Sequence, residues 1–380
     1  MSSSQTNPAY SPGLEGVIAG ESGICQVDPN AGLLYRGYDV HELATRAPFE
    51  DVVWLLLRGE LPTPLQSQQI QQELMAERQV PAPVLSMLQL LPWDAHPIDE
   101  LRTAVSMLGM FDPEENDNSH DANLRKAIRL IAKVSTLVTS GWRIEKGEKP
   151  NASDEPQSFA ARFLFNLTGK SPEPWRIAAF NIILNLYAEH EFNASTFAAR
   201  VTASTLSDMY AAVTSALGTL KGPLHGGANE QSVNVLREIG TPENADAWVE
   251  KKLAHHEKIS GFGHRVYRTG DSRVPVMREL ARDLARRFGS EQMVAVCEEL
   301  EAVMARRKGL YANVDLYAAP VFELLDIPPS LNTPIFACAR VAGWCAHVIE
   351  QHEHNRIIRP RSFYTGPARR GYPEPAHPTV

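Results

Sequence analysis

The sequence predicts a mostly α-helical protein, and three observations carry that expectation. Apolar residues recur at helical spacing over long stretches, helix punctuation falls where those stretches begin, and no strand–helix alternation that would build a parallel sheet appears. In 207–220, Met209, Val213, Ala216, Leu217 and Leu220 share one helical face. In 275–288, Met277, Leu280, Ala281, Leu284 and Phe288 do the same. Thr333-Pro334, a capping residue followed by proline at the first helical position, opens a further helix running to about Gln351. Extended structure is expected only near the start of the chain. There Ile24 to Asp28, the turn Pro29-Asn30-Ala31-Gly32 and Leu33 to Arg36 form a hairpin pattern. Two polar stretches, Asp112 to Asn123 and Arg143 to Ser158, read as surface loops. The Pro-, Gly- and Arg-rich stretch from Gly366 reads as an extended arm.

Composition bounds the function. The chain has 380 residues, enough for one large or two ordinary domains, with 43% apolar and 22% charged residues as in globular proteins. A formal net charge of −8 argues against a nucleic-acid binder acting through bulk positive charge, but leaves room for a local basic pocket. No apolar run approaches the roughly 18 to 20 residues of a membrane helix. Met1 to Gly13 is polar, without a signal pattern. Cys25, Cys297, Cys338 and Cys345 form no CxxC pair, so buried free thiols and a soluble cytoplasmic protein are expected.

Three segments combine glycine with ionisable residues in ways a helical core does not require. In Gly222-Pro223-Leu224-His225-Gly226-Gly227-Ala228-Asn229-Glu230, Gly-Pro ends one helix and the run after His225 starts another. An imidazole at a helix N-terminus meets free N–H groups and the positive dipole end, which disfavour a second proton. A neutral histidine there can donate a hydrogen bond to a developing enolate oxygen. Taken alone, the segment serves equally as a histidine beside a tight turn. In Ile259-Ser260-Gly261-Phe262-Gly263-His264-Arg265-Val266-Tyr267, two glycines permit close approach of backbone to a ligand. The run is neither a GxGxxG fingerprint nor a P-loop. His264 there can polarise a carbonyl, and Arg273, in the following Asp271-Ser272-Arg273, can clamp a carboxylate. The same three residues also fit a surface ion pair of little energetic weight. In Tyr311-Ala312-Asn313-Val314-Asp315-Leu316-Tyr317, apolar neighbours should raise the pKa of Asp315 and make it a stronger base, although by itself this segment reads better as a helix cap. His255-His256 and His352-Glu353-His354 have no recognised metal-ligand spacing, so no metal is expected.

The order and combination of motifs narrow the reading. The chain resembles the citrate synthase family from about Gly16 to Gly366. The resemblance rests on Leu34-Tyr35-Arg36-Gly37-Tyr38-Asp39, His190-Glu191-Phe192-Asn193-Ala194-Ser195-Thr196 and the three segments above. It continues through Arg340 with Gly343-Trp344 and His347, then Arg356-Ile357-Ile358-Arg359-Pro360-Arg361 and Tyr364-Thr365-Gly366. It implies a two-domain helical fold, with a large domain (1–224 and 325–380) and a smaller inserted helical domain (225–324). It further implies a homodimer with its site in the interdomain cleft. By motif matching, His225, His264 and Asp315 form the catalytic trio, and His190, Arg273 and Arg340 bind oxaloacetate. Arg359 reaches the neighbouring subunit's site, and the backbone of Lys258, Ile259, Ser260, Gly261 and Phe262 receives the adenine end of coenzyme A. The implied reaction joins acetyl-CoA to oxaloacetate and hydrolyses the thioester, with no permanently bound cofactor. Two departures stand out. Many relatives carry Asp-Pro-Arg where this chain has Asp271-Ser272-Arg273, and Phe-Tyr-Ser where it has Leu316-Tyr317-Ala318.

Competing readings remain at this level. The Tyr187-to-Asn193 stretch resembles the 2-methylcitrate synthase branch, which prefers propionyl-CoA, as much as the other branch. Gly263-His264-Arg265-Val266 and Arg359-Pro360-Arg361 look more like ordinary citrate synthases, so the weight falls on acetyl-CoA. An inactive helical scaffold would be expected to lose one of the trio, and a metal-dependent hydrolase would need the histidine clusters. The short N-terminal part resembles the dimeric group more than the larger NADH-regulated one.

Overall fold

A computed structural model describes residues 10–372 apart from 29–31, 152–157, 264–266 and 268–269. After a single 3-10 turn at Pro12–Leu14 come three short strands: β1 (Cys25–Asp28), β2 (Gly32–Tyr35) and β3 (Tyr38–Asp39). They form an antiparallel sheet in sequence order, with Cys25 opposite Tyr35 and Leu34 opposite Asp39. The expected hairpin is therefore present, lengthened by a third strand, while Pro29 to Ala31 of its turn lie outside the described residues.

Helices follow almost without interruption. They are α1 (Val40–Arg46), α2 (Phe49–Arg58), α3 (Pro64–Ala76), α4 (Ala82–Leu88), α5 (Pro97–Gly109), α6 (His120–Glu145), α7 (Phe159–Thr168) and α8 (Pro174–Tyr187). After them come α9 (Ala194–Ala203), α10 (Met209–Leu220), α11 (Ala228–Ile239), α12 (Ala245–Ala254), α13 (Val274–Phe288), α14 (Glu291–Lys308), α15 (Val314–Leu324) and α16 (Asn332–Glu353). Local chemistry sets many of the ends. Asp39, Ser158, Asn193, Asp208 and Asn313 each accept a backbone N–H of the first helical turn, and Thr63 forms a capping box with Gln66. Gly59, Gly169, Gly289 and Gly309 close α2, α7, α13 and α14 in the left-handed conformation that glycine adopts without a Cβ clash.

The centre of the fold is α16, buried at every residue from Asn332 to Ile349. A helix with no solvent-facing side lies inside the protein, and α16 packs against α6, α8, α9 and α10. Gly343 makes the crossing with α8 possible: a Cβ there would lie 2.6 Å from the carbonyl oxygen of Ala188 and 2.0 Å from Glu189 Oε2. In 225–324, α13 and α11 pack on α15 and α12 packs on α14, while α11 also meets α16. All four cysteines are free and buried, and burial raises the pKa of each. Among the described residues no helix is long and apolar enough to cross a membrane.

The polar stretch at 112–123 departs from the surface-loop expectation. Residues 120–123 already belong to α6, and the Asp112 carboxylate is almost fully covered, paired with Arg129 at 2.9 Å and bonded by the Tyr210 hydroxyl. Charge alone does not distinguish a solvated acidic loop from one whose carboxylates anchor two helices. The second stretch likewise begins inside α6, which continues to Glu145, and 152–157 lie outside the described residues. Residues 366–372 are exposed and without regular structure, as expected of an arm.

Candidate active site

Four segments converge beside the middle of α16. The first is the end of α8 and the turn after it. Tyr187, the last residue of that helix, is fully buried, and its carbonyl accepts from Arg340 Nε at 2.7 Å. The Arg340 guanidinium lies over the Phe336 ring at 4.6 Å, and that ring packs on Tyr187 at 4.5 Å. His190 follows three residues later, buried and edge-on to Tyr267.

The second segment is the tight turn before α11. His225 stands two residues ahead of the cap residue Gly227, within the turn closed by its own N–H to Gly222 O. Its Nε2 lies 2.8 Å from Ser195 Oγ, which also accepts from Trp344 Nε1 at 3.2 Å. Burial first, then the charges of Arg340 and Arg273, push the His225 pKa down to about 3. The imidazole is neutral at physiological pH.

The third and fourth segments pair with each other. Phe262 bridges Ala312, Gly263 N–H reaches Tyr311 O at 3.1 Å and Asn313 N–H reaches Gly261 O at 2.9 Å. Gly261 and Gly263 take positive φ of 88° and 81°, which accounts for both glycines. This pairing fixes the entry to α15. Asn313 caps that helix and accepts the N–H of Asp315, so Asp315 is not the cap that its segment alone favoured. Burial pushes its pKa up to about 6, against the lowering effect of Arg273 and Arg340 and of the Tyr187 hydroxyl, which donates to Oδ1 at 3.3 Å.

Arg273 is not in a surface pair. Asp271 and Arg273 are both buried and form a bidentate pair, with Nε and Nη2 at 3.0 and 2.7 Å from the two carboxylate oxygens. Asp271 also accepts the N–H groups of Arg273 and Val314, tying the start of α13 to the start of α15. Burial alone would raise the Asp271 pKa, but the Arg273 charge and these bonds hold it well below the carboxylate range.

The structure thus gathers His225, Asp315, Arg273 and Arg340 into one electrostatic neighbourhood, with His190 beside it acting on Asp271. His264 lies outside the described residues. Lys258 to Phe262 run from exposed Lys258 into buried Ile259 and Gly261. Arg359 is exposed beyond α16 and makes no hydrogen bond or ion pair with the group. Sequence reasoning assigned no role to Tyr187, Ser195, Asn229 or Trp344. Tyr187 and Trp344 sit in apolar helical runs, where an aromatic reads as core.

The geometry describes a cluster of a neutral imidazole, a carboxylate biased toward the base range and two buried guanidinium groups. The sequence model for the citrate synthase C-terminal domain matches residues 13–361. The chain belongs to the citrate synthase family. "Citrate synthase 2" of Bacillus subtilis (strain 168) is 44% identical over 356 residues, covering 93% of this chain and 95% of that protein. "2-methylcitrate synthase" of Mycobacterium tuberculosis (strain ATCC 25618 / H37Rv) is 44% identical over 367 residues, covering 96% and 93%. A solved citrate synthase from Thermoplasma acidophilum, in ternary complex with carboxymethyl coenzyme A and oxaloacetate, superposes with a TM-score of 0.90. It shares 33% identity and covers 96% of this chain and 98% of its own. As a citrate synthase family member the chain is an acyltransferase that takes oxaloacetate and an acyl-CoA as substrates, without a resident cofactor.

Proposed function

We propose that this enzyme condenses acetyl-CoA with oxaloacetate, with Asp315 as the base, His225 as the enolate's hydrogen-bond donor and His264 polarising the ketone. The observation that carries the reading is the opposed displacement of two half-buried groups in the shared field of Arg273 and Arg340: Asp315 moves up toward the range of a useful base, and His225 moves far below it. A thioester methyl is a reluctant acid, so a carboxylate removes its proton only if the enolate oxygen is stabilised as it forms. Neutral His225 does this with Nδ1–H in the tautomer whose Nε2 accepts the Ser195 hydroxyl proton, which Asn193 Oδ1 then gives up. The enolate carbon attacks the ketone of oxaloacetate, whose carboxylates meet Arg273, Arg340 and His190. Asp271 takes the Nε–H and one Nη2–H of Arg273, so both Nη1–H and the second Nη2–H remain to offer.

The Lys258–Phe262 backbone receives the adenine end of coenzyme A in this reading. Residues 225–324 act as a small domain whose closure excludes water. The working unit is a cytoplasmic homodimer in which Arg359 completes the partner's site. Propionyl-CoA is the second candidate substrate, because relatives named for each activity are equally identical to this chain. One methylene changes selectivity only about 10- to 200-fold. The test is coenzyme A release with oxaloacetate and either thioester. A higher kcat/KM for acetyl-CoA is expected, and a higher value for propionyl-CoA reverses the choice.

A further inference from the structure

We propose that Tyr187, oriented by Asn229, is the positioning residue of the base: its hydroxyl holds Asp315 Oδ1 so that Oδ2 faces the acyl-CoA. The inference rests on the reading of Asp315 as base. Tyr187, Asn229 and Asp315 come from α8, α11 and α15, and both Tyr187 and Asn229 are fully buried. The Asn229 amide nitrogen lies 3.0 Å from the Tyr187 oxygen, which lies 3.3 Å from Asp315 Oδ1. An amide nitrogen only donates and an ionised carboxylate only accepts, so the phenol has one consistent role. It accepts from Asn229 and donates to Asp315. A carboxylate with one oxygen pinned cannot rotate freely about its Cβ–Cγ bond, and the plane of the second oxygen is set.

The anchorage of Tyr187 suits this role. Its carbonyl is bound by Arg340 and its ring is held by Phe336, so the α8 terminus, the arginine and the base share one rigid support. Among the described residues, the charged and titratable groups that act on Asp315 are Arg273 and Asp271 at the start of α13, Arg340 of α16 and Tyr187 itself. On α14, Glu301 is engaged by the Tyr317 hydroxyl and, with Arg278 of α13, forms a pair beyond the next turn. None of these others bonds an oxygen of Asp315. The phenol stabilises the ionised carboxylate, so removing it raises the Asp315 pKa and moves the acid limb of the rate profile to higher pH.

The test is Tyr187→Phe in the full-length enzyme, with Asp315→Asn and Asn229→Ala beside it. For Tyr187→Phe, kcat is expected to fall about tenfold or more, as misaligned reacting groups do, with KM for oxaloacetate within twofold and the acid limb of kcat displaced upward. Asn229→Ala should move the same limb in the same direction. An unmoved limb together with kcat within twofold of the native enzyme, in a Tyr187→Phe protein of native circular dichroism, overturns the proposal. A uniform rise in KM with the limb unmoved assigns Tyr187 a structural role only and also overturns it. Asp315→Asn separates the two readings. If it loses turnover while Tyr187→Phe behaves as native, only the positioning role fails, and if it keeps turnover, the assignment of the base fails.

Discussion

Replacing Asp271 with Asn tests whether the buried pair with Arg273 is structural as well as catalytic support. Asn keeps the shape but removes the charge and turns one acceptor into a donor. Its amide group therefore faces with the wrong polarity either Arg273 Nη2 and the Val314 N–H, which share Oδ2, or the Nε–H and backbone N–H of Arg273, which share Oδ1. Breaking a buried pair by removing one partner costs about 3 to 5 kcal/mol, because the remaining charge stays desolvated. At about 2.1 cal/mol/K per residue, the 380 residues give an unfolding entropy near 0.8 kcal/mol/K, so Tm should fall by about 4 to 6 °C. The sign with pH follows from the depressed pKa of the native carboxyl. Its contribution is fully present above the unfolded value of about 3.9 and is lost as pH falls toward the folded value. The Tm difference between native and Asp271→Asn should accordingly be constant from pH 6 to 8 and shrink below about pH 4. Differential scanning calorimetry at matched pH reads both effects. A variant that melts within about 1 °C of native at pH 7 would show that Arg273 does not depend on this partner, and the reasoning would be wrong.

Other outcomes follow from the same geometry. In the native enzyme kcat/KM should fall on the acid side with a limb near the Asp315 value of about 6, and no His225 limb should appear between pH 5 and 8; a stopped assay across that range reads it. Gly343→Ala gains about 1 kcal/mol of helix propensity, but its Cβ meets the Ala188 carbonyl oxygen at 2.6 Å, which no rotamer relieves. The overpacking cost of about 1 to 3 kcal/mol should win, lowering both the urea midpoint and kcat through the displaced Tyr187. If Arg359 serves the partner's site, mixing inactive Arg359→Ala and Asp315→Asn proteins after reversible dissociation should restore activity through hybrids with one complete site. Hybrids that form, by native mass spectrometry, yet stay inactive place Arg359 elsewhere.

Helix periodicity made much of the fold legible. Met209 to Leu220 and Met277 to Phe288 lie in α10 and α13 nearly as spaced, and Thr333-Pro334 opens one residue inside α16. The site was legible where glycine, histidine and arginine break that periodicity, as around His225 and Arg273. It was not legible in Tyr187 or Trp344, because a buried aromatic that packs and one that also donates a hydrogen bond have the same pattern. Nor did Asp-Ser-Arg reveal its burial: a local ion pair looks the same in sequence on a surface as beneath two helix starts. Asp315 illustrates a third limit, since Asn313 two residues earlier takes the capping role.

The seclusion of the four cysteines has a practical consequence. Burial keeps each as a thiol, and aromatic disulfide reagents need an accessible thiolate. Colour developing in a turnover assay therefore reports released coenzyme A with no background from the folded protein. In denaturant the same dye should register four equivalents per chain, turning the reagent that follows catalysis into a gauge of how much enzyme is still folded.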